Sequence, residues 1–293
     1  NEVTVTGMVV PKPKAADDAP GAATNLHAQF AAAATAGQLS FTAPTTTYGG
    51  SALSGELSYN VYVNDAAPLT GKVNAGSSAV VPVQAREGMN TFVVTLTNAA
   101  GASPKARLSD YAGYDTPKPI EKLTLNVDAA RCADLTWTAP TATEHGGFLG
   151  ALTYDLIRIT GTDTTQVANG ISDVHFAEVL PEGPLMGYRY AVRAHNQSQV
   201  TMWTNSNNAV VGSPIEPPFF DEFANAADAE LYTVIDNNND QASWAWDKDP
   251  YTEQTAYRYH WSDTEKADDW LLLPPLRLRA GTVYTFQFKA KSN

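Results

Sequence analysis

The chain has 293 residues, with 19 Lys and Arg against 31 Asp and Glu, so its formal net charge is −12. At about 150 residues per domain, this length predicts two or more domains. An acidic surface repels phosphate backbones and anionic lipid headgroups, which argues against nucleic-acid partners. No apolar stretch approaches the roughly 18 residues of a membrane-spanning helix, so no membrane insertion is predicted. A single cysteine, Cys132, excludes an internal disulfide framework and a thiolate-rich metal site.

Short runs of alternating apolar residues are separated by turn-forming residues along most of the chain, which contains 20 Gly and 18 Pro. Successive side chains of a strand point to opposite faces, so this alternation predicts half-buried strands. The clearest predicted strands are residues 60–63, 92–97, 154–159 and 188–194. Helix candidates are confined to residues 30–36 and 224–231. The pattern is typical of an all-β protein.

A repeat of about one hundred residues organises the first two thirds of the chain. Phe41–Thr45 recurs as Trp137–Thr141 at an offset of 96. A Gly-Gly pair, a Tyr-led strand and a later alternating strand follow each copy in the same order, and proline-dense joints separate the units. The predicted regions are an N-terminal segment or linker over 1–18, two homologous β-domains over 19–117 and 118–216, and a third module over 217–293.

The repeat unit resembles a fibronectin type III domain. The resemblance is carried by an early aromatic strand, Leu135–Pro140, and by a later strand of the form Tyr-x-aromatic-x-Val-x-Ala-x-Asn that begins at Tyr188. It implies a sandwich of two sheets in which Trp137, with Phe41 as its counterpart, packs in the core. The corner tyrosine of the family maps onto Tyr188. The first repeat has Asn90 at that position, which leaves its corner hydrogen bond without an assigned donor.

The composition changes at Phe219, and 14 of the 29 aromatic residues lie from Phe219 onward. An acidic-aromatic segment, an Asp/Asn-rich turn before Trp244, an Asp-aromatic-Leu strand from Asp269 and an alternating strand over 282–288 follow in order. This order resembles the start of the cleaved-adhesin, or choice-of-anchor, jelly roll of Bacteroidetes surface proteins and secreted peptidases. Since a jelly roll has about eight strands, the resemblance implies a partial one, cut from a longer protein.

The two resemblances together imply an all-β fold of two immunoglobulin-like fibronectin type III sandwiches in tandem plus a partial jelly-roll β-sandwich. They also imply an extracellular location or the outer cell surface of a Gram-negative bacterium. In such a chain the repeats would act as spacers, and the jelly roll would be the recognition module.

One acidic turn has part of a calcium-binding pattern. Asp236, Asn238 and Asp240 have the spacing that opens a calcium loop, and Asp247 stands at its twelfth position. Calcium prefers several hard oxygen ligands on a tight turn. Position six, however, is Gln241 rather than Gly, and position twelve is Asp rather than Glu. The pattern therefore departs from an EF-hand and favours a polar hairpin turn, since Asn and Asp stabilise turns through their own side chains.

The jelly-roll resemblance implies a structural calcium at another place, between the end of the first strand and a late loop. Asp221 or Glu222 would be the ligand at the strand end. Acidic residues beside a strand are also commonly just solvated. Calcium is the one cofactor that the sequence suggests.

A cluster of aromatic residues in the third module admits two interpretations. Exposed rings stack on sugars or anchor protein partners, whereas buried rings fill a core. Trp244 and Trp246 face the same side of a predicted strand, as do Tyr259 and Trp261 of the next. The predicted ligand-binding residues are Trp244, Trp246, Trp261 and Tyr259, with a host or dietary glycan or an extracellular protein as the partner.

Catalytic motifs are sparse. The sequence has no Gly-x-Ser-x-Gly, no phosphate-binding loop and no His-Glu-x-x-His, and its five His do not fall at metal-ligand spacing. Asp268 and Asp269 are adjacent and point apart on a strand, which favours a polar strand end over an acid pair. The chain is thus predicted not to be an enzyme but an adhesion or ligand-binding protein. The alternatives are a non-catalytic ancillary region of a secreted peptidase or glycoside hydrolase, and a pure spacer.

Overall fold

The computed structural model describes residues 16–238, 240–249 and 253–290, which contain twenty strands and one short helix. The prediction of an all-β chain is confirmed. The chain divides into two compact units: one comprises residues up to 118 with 141–152 and 195–200, and the other comprises the remainder. The predicted module boundaries at 18, 117 and 216 stay predictions. Most of the predicted N-terminal segment or linker, residues 1–15, lies outside the described residues.

The first sandwich contains eight strands: β1 (Thr24–Phe30), β2 (Ala36–Thr42), β3 (Glu56–Val63), β4 (Leu69–Asn74), β5 (Ser78–Gln84), β6 (Gly88–Asn98), β7 (Gly101–Ala102) and β8 (Ala106–Ala112). One sheet has the order β1-β2-β5, and the other has the order β4-β3-β6-β7 with β8 also paired to β6. All these pairs are antiparallel. Each sheet must bury its apolar face, so the two sheets enclose one core.

The second sandwich repeats this topology with strands β9 (Leu123–Val127), β10 (Cys132–Trp137), β11 (Thr153–Thr160), β12 (Asp163–Ile171), β13 (His175–Val179), β14 (Met186–His195), β15 (Thr204–Asn205) and β16 (Ala209–Val211). Its sheets have the orders β13-β10-β9 and β12-β11-β14-β15, with β16 paired to β14. The strands correspond one to one with those of the first sandwich. This is the tandem, two-sheet arrangement that the fibronectin type III resemblance implies.

Equivalent aromatic pairs lie in the two cores. Phe41 is buried and contacts Tyr59 edge to face, with ring centroids 5.5 Å apart. At the matching place Trp137 contacts Tyr154 edge to face at 5.3 Å. Edge-to-face packing brings the positive ring edge against the negative ring face. The predicted core role of Trp137 and Phe41 is confirmed.

Asn90 supplies the corner hydrogen bonds of the first sandwich that the sequence left unassigned. Its side chain is fully buried, and its Nδ2 donates to the carbonyls of Arg86 at 2.8 Å and Gly88 at 2.7 Å. Its Oδ1 accepts from the Arg86 N–H at 3.0 Å and from Asn64 Nδ2 at 2.8 Å. One amide therefore satisfies the backbone on both sides of the corner, which a single tyrosine hydroxyl does not do.

The linker that enters each sandwich is held by the same set of hydrogen bonds. In the first, Asn98 Nδ2 donates to the Asp18 carbonyl at 3.0 Å, and the Tyr48 N–H donates to the Ala19 carbonyl at 2.7 Å. In the second, Asn196 Nδ2 donates to the Asp115 carbonyl at 2.9 Å, and the Glu144 N–H donates to the Thr116 carbonyl at 2.9 Å. We call this set the linker clamp. Its recurrence supports the homology of the two repeats independently of the sequence match.

Asp115, whose backbone carbonyl is part of the second linker clamp, also has a buried carboxylate side chain. It accepts hydrogen bonds from the backbone N–H groups of Thr116, His145 and Gly147 at 2.8, 2.7 and 3.2 Å, and from His145 Nδ1 at 2.9 Å. Its side chain is 0% exposed. Burial acts to raise the pKa of Asp115, but the hydrogen bonds from His145, Thr143 and Gly147 outweigh burial and lower it.

The third segment contains α1 (Ala226–Ala229), β17 (Thr233–Asp236), β18 (Trp244–Lys248), β19 (Thr255–Tyr259) and β20 (Asp269–Leu272). β17 pairs with β20 and β18 pairs with β19, in two antiparallel ladders. Asn225 caps α1, since its side chain accepts from the Asp228 N–H at 2.9 Å. The jelly-roll assignment of this segment stays a prediction.

Two local expectations are wrong. Residues 30–36, a helix candidate, form the end of β1 and a turn into β2, because Phe30 and Ala36 are ladder residues. Residues 282–288 alternate like a strand but pair with no other strand of the described chain, and their side chains are exposed. Alternation sets which side chains share a face, whereas a strand also requires a neighbour for its backbone groups.

No helix among the described residues is both long enough and apolar enough to cross a lipid bilayer.

Replacement of Asn90 by Ala is expected to lower the free energy of unfolding by about 2–4 kcal/mol, because the fully buried Asn90 side chain makes several hydrogen bonds to the backbone of Arg86 and Gly88 and to Asn64, and all of them are lost. Urea unfolding of the whole chain measures this loss. Asn74→Ala, which alters an exposed Asn at the end of β4, is the matched control and should stay within about 0.5 kcal/mol of the parent. Equal stability of the Asn90→Ala chain and the parent would contradict a structural role for the corner.

Asp115→Asn is expected to destabilise the fold at neutral pH, by about 1–3 kcal/mol, since an amide cannot accept all of the N–H groups around it. The lowered pKa of Asp115 contributes stability that is present above the ordinary aspartate pKa and is lost as the pH falls through the lowered value. The difference between variant and parent should therefore shrink in acid. Urea unfolding at pH 7 and near pH 3 tests this, with the exposed Asp65→Asn as control. A difference that does not change with pH would refute it.

Candidate metal centre

The predicted ligand-binding aromatic residues lie mostly in a packed face. Trp244 and Tyr259 are cross-strand partners on β18 and β19, with ring centroids 5.3 Å apart. Trp246 is on the same face of β18, and its Nε1 donates to the Phe223 carbonyl at 2.9 Å. These three side chains are half-buried, whereas Trp261 is 74% exposed. Ligand binding by the four stays a prediction, with Trp261 the most accessible ring among them.

Asp221 and Glu222, the calcium ligands that the resemblance implies, lie ahead of α1. Asp221 Oδ1 accepts from the Phe223 N–H at 2.7 Å. Burial, followed by the hydrogen bond to Asp221, raises the pKa of Tyr232. Glu222 is exposed. Neither belongs to the carboxylate group described next, so metal binding by this pair stays a prediction.

Three carboxylates converge at one end of the β17–β20 ladder. Asp236 and Asp269 are cross-strand partners at the end of the ladder, and Asp240 lies on the loop that follows β17. One oxygen from each lies within 4.8 Å of the other two. Residues directly opposite each other on an antiparallel pair share a face, so the register itself brings Asp236 and Asp269 together. We call these three residues the carboxylate triad.

Each member of the triad uses one oxygen for scaffolding and leaves the other without a partner. Asp236 Oδ2 accepts from the Gln241 N–H at 3.0 Å, Asp240 Oδ1 from the Ala242 N–H at 2.8 Å, and Asp269 Oδ2 from the Tyr259 hydroxyl at 2.8 Å. The remaining oxygens, Asp236 Oδ1, Asp240 Oδ2 and Asp269 Oδ1, are buried and accept no hydrogen bond within the described chain. Burying a carboxylate oxygen without a hydrogen-bond donor costs folding free energy unless a cation binds the oxygen instead.

Asn238 has the same division of roles within the loop between Asp236 and Asp240. Its Nδ2 donates to the Lys266 carbonyl at 2.9 Å, and its Oδ1 is buried without a partner. The loop and the triad thus present carboxylate and amide oxygens, with no nitrogen or sulfur ligand among them. Such hard oxygen ligands suit Ca²⁺, which binds six to eight of them with flexible geometry.

The electrostatics around Tyr259 indicate uncompensated negative charge. The hydrogen bond to Asp269, then desolvation, then the charges of Asp269, Asp240 and Asp236 raise the pKa of Tyr259 to about 12. A divalent cation at the triad would offset this negative charge.

The sequence pattern contains two of the three members of the triad. Asp236, Asn238 and Asp240 have the spacing that opens a calcium loop, but the pattern favours a polar hairpin turn there. The predicted calcium ligands are instead Asp221 and Glu222. Asp247, the expected twelfth-position ligand, lies elsewhere and pairs with Arg258 at 3.3 Å and His260 at 3.0 Å. Asp269 was interpreted only as the polar end of a strand. The signal that could have found it is the pairing of β17 with β20, in which each strand carries an aspartate at the same end.

No family model matches the chain, and no curated protein matches it. Among solved structures, it is similar to a two-domain fibronectin type III segment of chicken tenascin, with a TM-score of 0.29 and 11% identity over 67% of this chain and 100% of that one. It is also similar to the FN1–FN3 domains of chicken CNTN1, with a TM-score of 0.26 and 13% identity over 66% of this chain and 67% of that one.

Asp269→Asn is expected to weaken Ca²⁺ binding by more than about tenfold, since loss of a ligand charge should cost at least as much as loss of an outer-shell partner. Calorimetric titration with Ca²⁺, repeated with Tb³⁺ luminescence, measures the affinity. The control is Asp268→Asn, because the adjacent carboxylate instead accepts from Asn237 Nδ2 at 2.6 Å. Equal affinities for the two variants and the parent would refute a centre at the triad.

Proposed function

We propose that this chain is a non-catalytic adhesion or ligand-binding region that acts outside the cell, with a calcium-stabilised third segment as the recognition module. The two sandwiches serve as spacers that present this segment. In keeping with the Bacteroidetes resemblance, the proposed location is the outer surface of a Gram-negative bacterium or its secreted fraction. The proposed partner is a host or dietary glycan or an extracellular protein.

The observation that carries the proposal is the set of buried, unpartnered oxygens of the carboxylate triad. Three carboxylates form a modest site, and calcium sites of extracellular modules commonly have dissociation constants of about 10⁻⁴–10⁻³ M. Such a site fills where free calcium is abundant, which is outside cells. The triad therefore supports an extracellular function more directly than any motif in the sandwiches does.

The strands that hold the triad also present an apolar face. Ile235 and Trp270 are cross-strand partners on β17 and β20, and Leu272 lies two residues further along. Their exposed fractions are 40%, 58% and 42%. Because neighbouring residues of a strand point apart, this face lies opposite Asp236 and Asp269. Calcium at the triad would brace the same strand pair that carries the exposed ring, and a ring on a braced strand suits stacking on a sugar or anchoring of a protein.

The proposal predicts calcium-dependent retention on a ligand surface. The whole chain is applied to a glycan array and to immobilised extracellular-matrix proteins, with Ca²⁺ and with a chelator. We expect signals that need Ca²⁺ and that Trp270→Ala removes. Met202→Ala is the control, since Met202 is 80% exposed but lies on the second sandwich, outside the proposed surface.

Two results would count against the proposal. Calcium binding without retention on either surface would leave a calcium-stabilised spacer. Retention that persists in the chelator and in Trp270→Ala would place recognition on another surface.

A further inference from the structure

The end of α1 is tied to the second sandwich through one residue, Glu230. One carboxylate oxygen accepts from Arg189 Nη2 at 2.7 Å, and the other accepts from the Gly161 N–H at 3.1 Å. The Glu230 carbonyl accepts from Asn208 Nδ2 at 2.6 Å. The Glu230 side chain is 18% exposed and the Arg189 side chain 36%, so the ion pair is partly shielded from water. A charge-assisted bond of this kind is stronger than a neutral one.

The backbone also approaches closely at this tie. A Cβ added to Gly187 on β14 would lie 2.8 Å from Glu230 Cβ and 2.9 Å from the Glu230 carbonyl oxygen. Real Cβ atoms do not approach other atoms so closely, and a side chain at position 187 would therefore push α1 away. Glycine at this position is what allows the helix end to lie against β14.

A second tie joins the linker to the chain that follows β20. The Ile215 N–H donates to the Pro275 carbonyl at 2.9 Å, and the Arg277 N–H donates to the Ile215 carbonyl at 2.9 Å. These bonds form a short parallel bridge between Ile215 and Leu276. Because β20 ends only a few residues earlier, the strand that carries Asp269 is held close to the linker leaving the second sandwich.

Continuous contacts connect Glu230 with the carboxylate triad. The Tyr257 hydroxyl donates to the carbonyl of Ala229, the residue before Glu230, at 2.6 Å. Tyr257 lies on β19 two residues before Tyr259, whose hydroxyl donates to Asp269 at 2.8 Å. Both tyrosines point to the same face of β19, so a shift of this strand moves the helix end and the triad together.

Resting on the proposed function, we infer that calcium at the triad also stabilises the second sandwich, with Glu230 as the positioning residue that transmits the effect. A cation that binds only the ordered triad stabilises every contact that orders with it. The ordered contacts run from Asp269 through β19 and α1 to Arg189 on β14. Calcium would thus act on the joint between recognition module and spacer as well as on the recognition module itself.

Hydrogen–deuterium exchange on the whole chain tests this inference. We expect Ca²⁺ to slow exchange across 186–195 and 209–211 by at least about fivefold, a typical lower limit for coupling between sites. In Glu230→Gln, Ca²⁺ should still slow exchange around the triad, but its effect on 186–195 should be lost. Glu121→Gln is the matched control, because Glu121 is an exposed glutamate just ahead of β9 and takes no part in the contacts between Glu230 and the triad.

The outcomes separate this inference from the proposed function. If calcium binds by calorimetry and protects 233–236 and 269–272 but leaves the second sandwich unchanged, the coupling is refuted and the proposed function stands. If Glu230→Gln keeps the full effect on 186–195, Glu230 does not transmit it. If calorimetry shows no calcium binding, the proposed function fails and the coupling fails with it.

Discussion

Burial of one face of every strand is the constraint on which the rest of this structure depends. Both sandwiches satisfy it with two sheets around a shared core, and the Phe41–Tyr59 and Trp137–Tyr154 pairs lie at equivalent places in those cores. The third segment does not satisfy it in this way, since its described strands form only two-stranded ladders. Such a ladder is marginal alone in water. Other contacts therefore contribute to the stability of the segment: an aromatic cluster, and the tie at Glu230 to a completed sandwich.

Periodicity made the sandwiches predictable, because a side-chain period of two encodes a buried face directly. The repeat followed from the recurrence of matched motifs in the same order, and the aromatic core positions followed from the fibronectin type III resemblance. What the sequence did not reveal is pairing between distant residues. Asp236 and Asp269 meet only because β17 and β20 are neighbours. Residues 282–288 alternate as a strand does, but they have no neighbouring strand in the described chain. Asn90 shows a third limit. The sequence showed only that Asn replaces the corner tyrosine, whereas the structure shows that its amide makes more hydrogen bonds than a single hydroxyl does.

Buried aspartates have different surroundings in the linker clamp and in the third segment. Asp115 is buried among donors that stabilise its ionised form, so it fixes local structure without any ion. In the triad, one oxygen of each carboxylate is buried without a hydrogen-bond donor. The two places thus differ in their hydrogen bonding. Asp115 is surrounded by donors from the protein, whereas the triad would be completed by the proposed cation.

The linker clamp determines which stretch of chain a gene duplication must copy to yield a complete repeat. The Asn98 and Asn196 side chains hold backbone that comes before their own sandwiches, at Asp18 and Asp115. A duplication that began at the first strand of a sandwich would omit the linker backbone ahead of it. The clamp donors of that sandwich would then lack the linker carbonyls to which they bind. The unit that genetic exchange can copy intact is therefore a sandwich together with the few residues ahead of it. Proline in the same place of both linkers, at Pro20 and Pro117, marks the start of that unit.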